Sequence, residues 1–195
     1  NVNAILPSLG LGNMSGGERL LAPGENNMSS YMGGSSAPQN ALVSNTSGRY
    51  NTSIGVQAQE QNTIGGQNTA IGVAAIDRNT SGSYNAVLGA FAGRYIADNS
   101  TYNTAINNSV LVGALARPLA NNSSNEIVIG YNATGNGSNT VTLGNTSITS
   151  VKTSGTITAG AITYPNTAGT NGQVLTSNGS GTASWAAVSG GVPYT

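Results

Sequence analysis

From about residue 45 the chain alternates short aliphatic groups with polar turns, and the aliphatic groups recur at a nearly constant interval. The segments NTSIGVQA (51–58), NTAIGVAA (68–75) and NAVLGAFA (85–92) follow one another every 17 residues. A repeat of this length is too short for a pair of packed helices but fits one coil of a β-solenoid. We therefore predict that each copy forms one layer in a stack of strands.

Each copy can be aligned on one position, which we call the anchor. Glycine occupies it in most copies, and Asn107 fills it in the segment YNTAIN, since asparagine also tolerates a left-handed backbone. The predicted anchors are Gly55, Gly72, Gly89, Asn107, Gly113, Gly130 and Gly144. Because Gly113 follows Asn107 too closely for a whole copy, 107–126 is predicted to be an irregular coil with a bulging insertion.

Two further positions of each copy carry structural expectations. The residue before each anchor glycine is aliphatic, and we expect it to point inward and to stack on its counterpart every ~4.8 Å. The residue four before the anchor is asparagine in four copies, and we expect the stacked amides to form a hydrogen-bonded ladder. The expected ladder consists of Asn51, Asn68, Asn85 and Asn103.

Three regions of the chain differ in pattern. Residues 1–44 lack sustained periodicity and are interrupted by Gly, Pro and Ser, so we interpret them as an irregular lead-in or adaptor. Residues 45–150 carry the repeat and are predicted to form the solenoid. Residues 151–195 contain short β-prone runs, and NGSG at 178–181 predicts a hairpin between QVLTS and TASWAAV.

Composition excludes several classes of function. Charged residues make up 6% of the 195 residues and the formal net charge is zero. Since the basic residues are dispersed, nucleic acid and anionic membrane surfaces are not expected as partners. No apolar run approaches the ~20 residues of a membrane span, so insertion into a membrane is not expected either. The chain has no cysteine and no histidine, which removes thiolate chemistry and the commonest metal ligands, so no cofactor or metal is expected. The first residue is Asn and no signal segment follows, so we expect a processed chain or a fragment.

The sequence of the repeat resembles the repeats of known extracellular fibres. The NTAIG units joined by NTSGRYN and NTSGSYN are similar to the heads of trimeric autotransporter adhesins and, more closely, to the repeats of bacteriophage tail-fibre proteins. The stretch from SNEIVIGYNATG to AGAITYP, followed by GTNGQVLTSNGSGTASW, resembles the region that precedes a self-cleaving intramolecular chaperone in tail-fibre-type proteins. The resemblance covers residues 45–186, whereas 1–44 lie outside it.

The resemblance implies left-handed coils that form a parallel homotrimer. The fold class that we predict is therefore all-β: a left-handed parallel β-roll or β-solenoid with coils of about 14–18 residues, intertwined or packed as a homotrimeric fibre, with short β-hairpins at the C-terminal end. The implied location is extracellular, on a virion tail fibre or a bacterial cell surface. The implied partners are further copies of the chain, a glycan or protein of a host or cell surface, and a baseplate or fibre adaptor protein contacted through 1–44.

One pair of carboxylates is a candidate for catalysis. Glu60 and Asp77 occupy the same position of successive copies, and Arg94 follows one copy later. Carboxylates stacked one coil apart would approach the ~5 Å separation of a retaining glycosidase pair. A solvated column of charges that Arg94 partly neutralises is the alternative, and we favour it because no group that would hold a sugar accompanies the pair. We therefore expect no enzymatic activity.

Candidate receptor-binding residues are aromatic or lie where the repeat breaks. Tyr50, Tyr84 and Tyr102 each stand five residues before an anchor, where they could form an aromatic strip for sugar rings or a protein. Packing at a trimer interface or against the neighbouring loop is the favoured interpretation. Arg117 lies in the predicted irregular coil. Trp185, in the hairpin region, is a typical interface residue, with burial in a trimeric cap as the competing interpretation.

The sequence therefore predicts a structural and recognition component of an extracellular trimeric fibre that mediates attachment to a host or cell surface. The alternative is a tailspike-type enzyme that cleaves polysaccharide with Glu60 and Asp77. An ice-binding solenoid is a third class, but its regular threonine face is missing because Ala86 and Val110 stand where other copies have threonine.

Overall fold

The structure, a computed structural model, describes residues 28–30, 41–160, 162–165, 167–177 and 179–188. The chain divides into two compact units, Asn1–Ser147 and Ile148–Thr195. All regular secondary structure of the described residues is β-strand.

Seven parallel strands form one sheet in the first unit, in the order of the chain. They are β1 Met28–Ser30, β2 Thr52–Ile54, β3 Thr69–Ile71, β4 Ala86–Leu88, β5 Val110–Val112, β6 Ile127–Ile129 and β7 Val141–Leu143. Equivalent residues of successive copies pair, as Thr69 does with Ala86, so the predicted β-solenoid is confirmed. The stack begins before residue 45, because Met28 already pairs with Thr52.

The anchor glycines lie directly against one another in successive layers. Each has a positive φ, from +84° at Gly144 to +140° at Gly89. A Cβ on Gly72 would lie 2.5 Å from the carbonyl carbon and oxygen of Gly89. Two features therefore disfavour a side chain at the anchor: the positive φ of the backbone and the close approach of the adjacent layer. The glycines that share this place are Gly55, Gly72, Gly89, Gly113, Gly130 and Gly144.

Small residues fill the interior of the coil. The middle residue of each strand from β2 to β6 is buried, and the series is Ser53, Ala70, Val87, Leu111 and Val128. A second buried series lies three residues after the anchors and consists of Ala58, Ala75, Ala92, Ala116 and Ala133. The aliphatic residue before the anchor points outward instead, and Leu88 is 50% exposed. The expectation that it fills the interior is wrong, because side chains alternate along a strand and the middle residue already occupies the inner face.

The asparagine ladder links three layers. The side-chain amide of Asn68 donates to Asn51 Oδ1 at 3.2 Å, and that of Asn85 donates to Asn68 Oδ1 at 2.9 Å. Each of these oxygens also accepts the backbone N–H of the next asparagine, at 3.0 and 3.1 Å. Ser109, and not Asn103, continues the column, because its N–H donates to Asn85 Oδ1 at 3.1 Å. The buried amides are thus satisfied between layers.

The coil after Gly89 is longer than predicted. A Cβ on Gly89 would lie 2.6 Å from the carbonyl of Gly113, so Gly113 is the next anchor. Asn107 is not an anchor, because it lies one coil from Ser83, whose N–H donates to Asn107 Oδ1 at 3.1 Å. The predicted place of Asn107 in the repeat is therefore wrong.

A motif that occurs twice per coil explains this error. The regular coils carry asparagine at two places, for example Asn62–Thr63 and Asn68–Thr69, and NTA at 103–105 resembles both of them. Thr80 N–H donates to the carbonyl of Thr104 at 2.9 Å, which places 103–105 on 79–81 and not on 68–70. The seven additional residues are 96–102, and the last of them, Tyr102, forms an antiparallel bridge with Tyr95, which directly precedes them. The insertion is this hairpin, and the predicted bulge at 107–126 is misplaced.

The second unit contains two antiparallel hairpins. Strand β8 Ile157–Ala159 pairs with β9 Ile162–Tyr164, and β10 Gln173–Ser177 pairs with β11 Ala183–Ala187. The hairpin that the NGSG motif predicts is therefore present.

Candidate functional site

The predicted charge column exists, but one of its members is buried. Asp77 is 1% exposed. Its Oδ2 lies 3.7 Å from Arg94 Nη1 and 3.4 Å from Arg78 Nε. Glu60 on the preceding coil accepts a hydrogen bond from Gln57 Nε2 at 3.2 Å. The column is partly neutralised by Arg94, as expected, whereas the expected solvation does not extend to Asp77.

Burial controls the ionisation of Asp77. Removal from water raises the pKa of Asp77 to about 6, while Arg94 and Arg78 oppose this rise and Glu60 adds to it. Neither carboxylate oxygen of Asp77 has a hydrogen-bond partner. A polysaccharide has no access to this carboxylate, so Asp77 is badly placed to attack or protonate a glycosidic bond. The geometry does not favour Glu60 and Asp77 as a catalytic pair.

Two of the three candidate tyrosines share one column of the surface. Tyr50, Gln67 and Tyr84 have φ angles of 59°, 58° and 62°, and Asn108 takes the next place with 51°. Tyr50 and Tyr84 are 57% and 58% exposed. Because they lie two coils apart, about 10 Å separates them. The predicted aromatic strip therefore consists of two exposed rings with a glutamine between them.

Tyr102 lies outside this column, at the end of the inserted hairpin. Its ring stacks on Tyr95 with a centroid separation of 5.1 Å. The guanidinium groups of Arg78 and Arg94 lie 4.7 and 5.7 Å from the centre of the Tyr102 ring. These cation–π contacts attach the hairpin to the coil that carries Asp77. Tyr102 thus belongs to the group of residues around the buried carboxylate.

A polar cavity of about 460 Å³ lies beside Arg117. Arg117 Nη1 donates to the carbonyl of Leu115 at 3.2 Å and to Asn132 Oδ1 at 2.5 Å, while its Nε has no partner. Arg117 also forms a parallel bridge with Thr134 of the next coil. The lining side chains come from three successive coils and are uncharged apart from Arg117.

The cavity forms where the repeat becomes shorter. Gly144 follows Gly130 after 14 residues, and the preceding interval between anchors is 17 residues. Thr134 and Asn136 line the depression within this shorter interval, and Asn145 and Thr146 line it just after Gly144.

One edge of the Trp185 ring is fixed by contacts within the second unit. Its Nε1 donates to the carbonyl of Thr167 at 2.7 Å. The ring packs on Gly169, where a Cβ would come within 2.6 Å of Trp185 Cδ2. Because 37% of the residue is exposed, part of its surface remains available to a partner.

The sequence reasoning missed one buried carboxylate. Glu126 has no exposed surface and accepts hydrogen bonds from the N–H groups of Gly137 at 2.9 Å and Leu119 at 3.3 Å. It continues the asparagine column, since its own N–H donates to Ser109 Oγ at 3.1 Å. Alignment of that column would have located Glu126, which stands four residues before Gly130.

Comparison of the chain with protein-family models, curated proteins and solved structures finds no match. Among the described residues, no helix is long and apolar enough to cross a membrane. The same part of the chain has no cluster of three acidic, cysteine or histidine side chains that could hold a metal ion. Function is therefore inferred from the fold and from its surfaces.

Proposed function

We propose that this chain is a structural and recognition component of an extracellular homotrimeric fibre that attaches to a glycan or protein of a host or cell surface. The carrier is a phage tail or a bacterial cell. Layers joined by backbone pairing and by a side-chain ladder form a regular scaffold, and such scaffolds are suited to the display of a binding surface.

The observation that carries this proposal is a column of outward-pointing aliphatic side chains along the sheet, which we call the aliphatic face. It consists of Ile54, Ile71, Leu88, Val112, Ile129 and Leu143, which pair across β2 to β7. At the spacing of paired strands, six layers give a strip about 24 Å long. A contiguous apolar strip on a soluble protein usually forms a contact with another molecule.

A second aliphatic column lies beside this face in the later layers. It consists of Val110, Ile127 and Val141, and Val141 is 61% exposed. Packing of these columns around a three-fold axis would place identical residues of the three copies at the same level. Association would also add buried apolar surface to that of the narrow coil interior.

Exposed aromatic residues support recognition as the role of the remaining surface. Tyr50, Tyr84 and Trp185 combine apolar rings with a polar group and are partly or largely exposed. Residues of this kind commonly anchor sugars and protein partners. The closed environment of Asp77 favours binding without catalysis over cleavage of the bound polymer.

Attachment to intact cells tests the proposal. Fluorescently labelled chain is incubated with a panel of Gram-negative and Gram-positive bacteria, and the cell-bound fraction is measured with and without excess unlabelled chain. We expect saturable attachment that the unlabelled chain displaces, with no release of reducing sugar from the cell polysaccharide. Saturable attachment to none of the cells would contradict the proposal, and release of reducing sugar would favour the enzymatic alternative.

A further inference from the structure

The polar cavity beside Arg117 has the chemistry of a binding site. Its lining offers donors and acceptors of side-chain amides and hydroxyl groups, as sugar hydroxyls require. The residues that supply these groups are Asn132, Thr134, Asn136, Thr142, Asn145 and Thr146. Among the described residues that line the cavity there is no aromatic ring and no carboxylate.

Arg117 gives the cavity a positive charge that the described structure does not neutralise. Both acceptors of its Nη1 are uncharged, namely the backbone carbonyl of Leu115 and Asn132 Oδ1. The ion pairs of the described residues involve Arg78 and Arg94 with Asp77, and Arg117 takes part in none. Its Nε is shielded from water and has no hydrogen-bond partner. A guanidinium is planar and always charged, and it pairs well with a planar anion such as a carboxylate.

The surrounding groups select among such anions. Thr134 presents a hydroxyl group on the coil next to Arg117. The Asn136 amide donates to Thr142 Oγ1 at 3.1 Å, and the Asn145 amide is held by Tyr131 and Ser147, so these neutral groups are fixed in place around the cavity. A bare anion would use the guanidinium alone, whereas a sugar that carries a carboxylate would use the guanidinium and these neutral groups together. The volume of about 460 Å³ lies within the ~300–1,000 Å³ typical of small-molecule sites.

We propose that this cavity binds a carboxylated sugar residue of a surface glycan, with Arg117 pairing to the carboxylate. The inference rests on the proposed role of the chain in attachment, and it names the class of ligand for one part of the surface. Uronic acids and sialic acids share the required chemistry, since both present a carboxylate beside several hydroxyl groups.

Saturation-transfer NMR on the full chain, followed by titration, tests this site. The probes are sodium glucuronate and the methyl glycoside of N-acetylneuraminic acid, with glucose and N-acetylglucosamine as neutral controls. We expect one or both acidic sugars to bind and the neutral sugars to bind at least about tenfold more weakly, because a charge-assisted pair is lost. The acidic sugar that binds more tightly identifies the source. Equal binding of neutral and acidic sugars, or no binding of either acidic sugar, overturns the proposal.

Two variants locate the binding within the cavity. Arg117→Gln removes the guanidinium, and Lys152→Gln removes a positive charge from an exposed residue of the other unit. Thr146→Asp adds a carboxylate at an exposed lining position, and Thr146→Asn is its neutral control. We expect both Arg117→Gln and Thr146→Asp to weaken binding at least about tenfold while both controls retain it.

Thr146→Asp keeps the test decisive if Arg117→Gln impairs folding, because the side chain of Thr146 is exposed and makes no hydrogen bond in the described structure. Full binding by a folded Thr146→Asp variant overturns the proposal. If the acidic sugars fail to bind while the chain still attaches to cells, this inference fails and the proposed function stands. If attachment to cells is also absent, both fail.

Discussion

Replacement of Gly72 by alanine should destabilise the solenoid by about 3–5 kcal/mol. The φ of +137° at Gly72 is strained for any residue with a Cβ, at a cost of ~1–3 kcal/mol. The new Cβ would lie 2.5 Å from the Gly89 carbonyl, whereas ordinary contacts begin at 3.4 Å, so the two layers must separate by almost an ångström. This shift weakens the 2.8 Å bond from Gly89 N–H to Ile71 and the 2.7 Å bond from Phe91 N–H to Val73, which join the two layers, each contributing ~1 kcal/mol.

A second glycine in the same unit separates backbone strain from the clash between layers. Gly137 has a φ of +99°, and the only atom within 4 Å of its added Cβ is the flexible Leu119 Cδ2 at 3.3 Å. Gly137→Ala should therefore cost ~1–3 kcal/mol from strain alone. Urea unfolding followed by far-UV circular dichroism measures both variants, provided that the m-value stays constant. If Gly72→Ala is no less stable than Gly137→Ala, the close stacking of anchors contributes nothing and the reasoning fails.

Three further perturbations test other parts of the structure. Asp77→Asn should reduce the pH dependence of the free energy of unfolding between pH 4 and 7. Burial raises the pKa of Asp77 in the folded protein from 3.8 to about 6. The free energy of unfolding of the wild type is therefore greatest below pH 4 and falls by up to ~3 kcal/mol as pH rises through 6. Urea titrations across this range would show an equal fall in both proteins if Asp77 were solvated. Asn68→Ala should cost ~2–4 kcal/mol, because the buried Asn85 N–H loses its acceptor; an unchanged unfolding midpoint would show that the ladder is dispensable. Deletion of 96–102 restores a 17-residue interval and should leave the circular dichroism spectrum intact; loss of the β signal would mean that the hairpin is part of the scaffold.

The stacked fold could be predicted from the sequence because one geometric constraint recurs in every layer. A backbone that needs a positive φ and has no space for a Cβ leaves glycine at Gly55, Gly72 and Gly89, and that spacing is visible without coordinates. The direction in which Leu88 and its equivalents point was not visible. Each strand has three residues. The last one, which is aliphatic and precedes the anchor, and the middle one are both compatible with burial, and only the width of the coil decides which of them points inward.

The inserted hairpin and the cavity required long-range information. The register of Asn107 depends on which of two similar motifs it pairs with, and the contact with Ser83 that decides it lies 24 residues away. The burial of Asp77 depends on its own coil and on the attached hairpin around Tyr102. Arg117 was predicted as a recognition residue, but the neutral groups around it come from two later coils. Such neighbours are brought together by stacking and leave no local signature.

The aliphatic face is the feature on which the proposed fibre depends, and sedimentation equilibrium tests it most directly. We predict that the unmodified chain sediments as a trimer, at three times the chain mass of 19.4 kDa. Leu88→Glu, which places a charge on the aliphatic face, should reduce this mass to that of one chain, because burial of an unpaired carboxylate is costly. Ile64→Glu, at an aliphatic residue that is 60% exposed and lies outside that face, should remain trimeric. A single-chain mass for the unmodified protein, or a trimer of the Leu88→Glu variant, would contradict the proposed assembly.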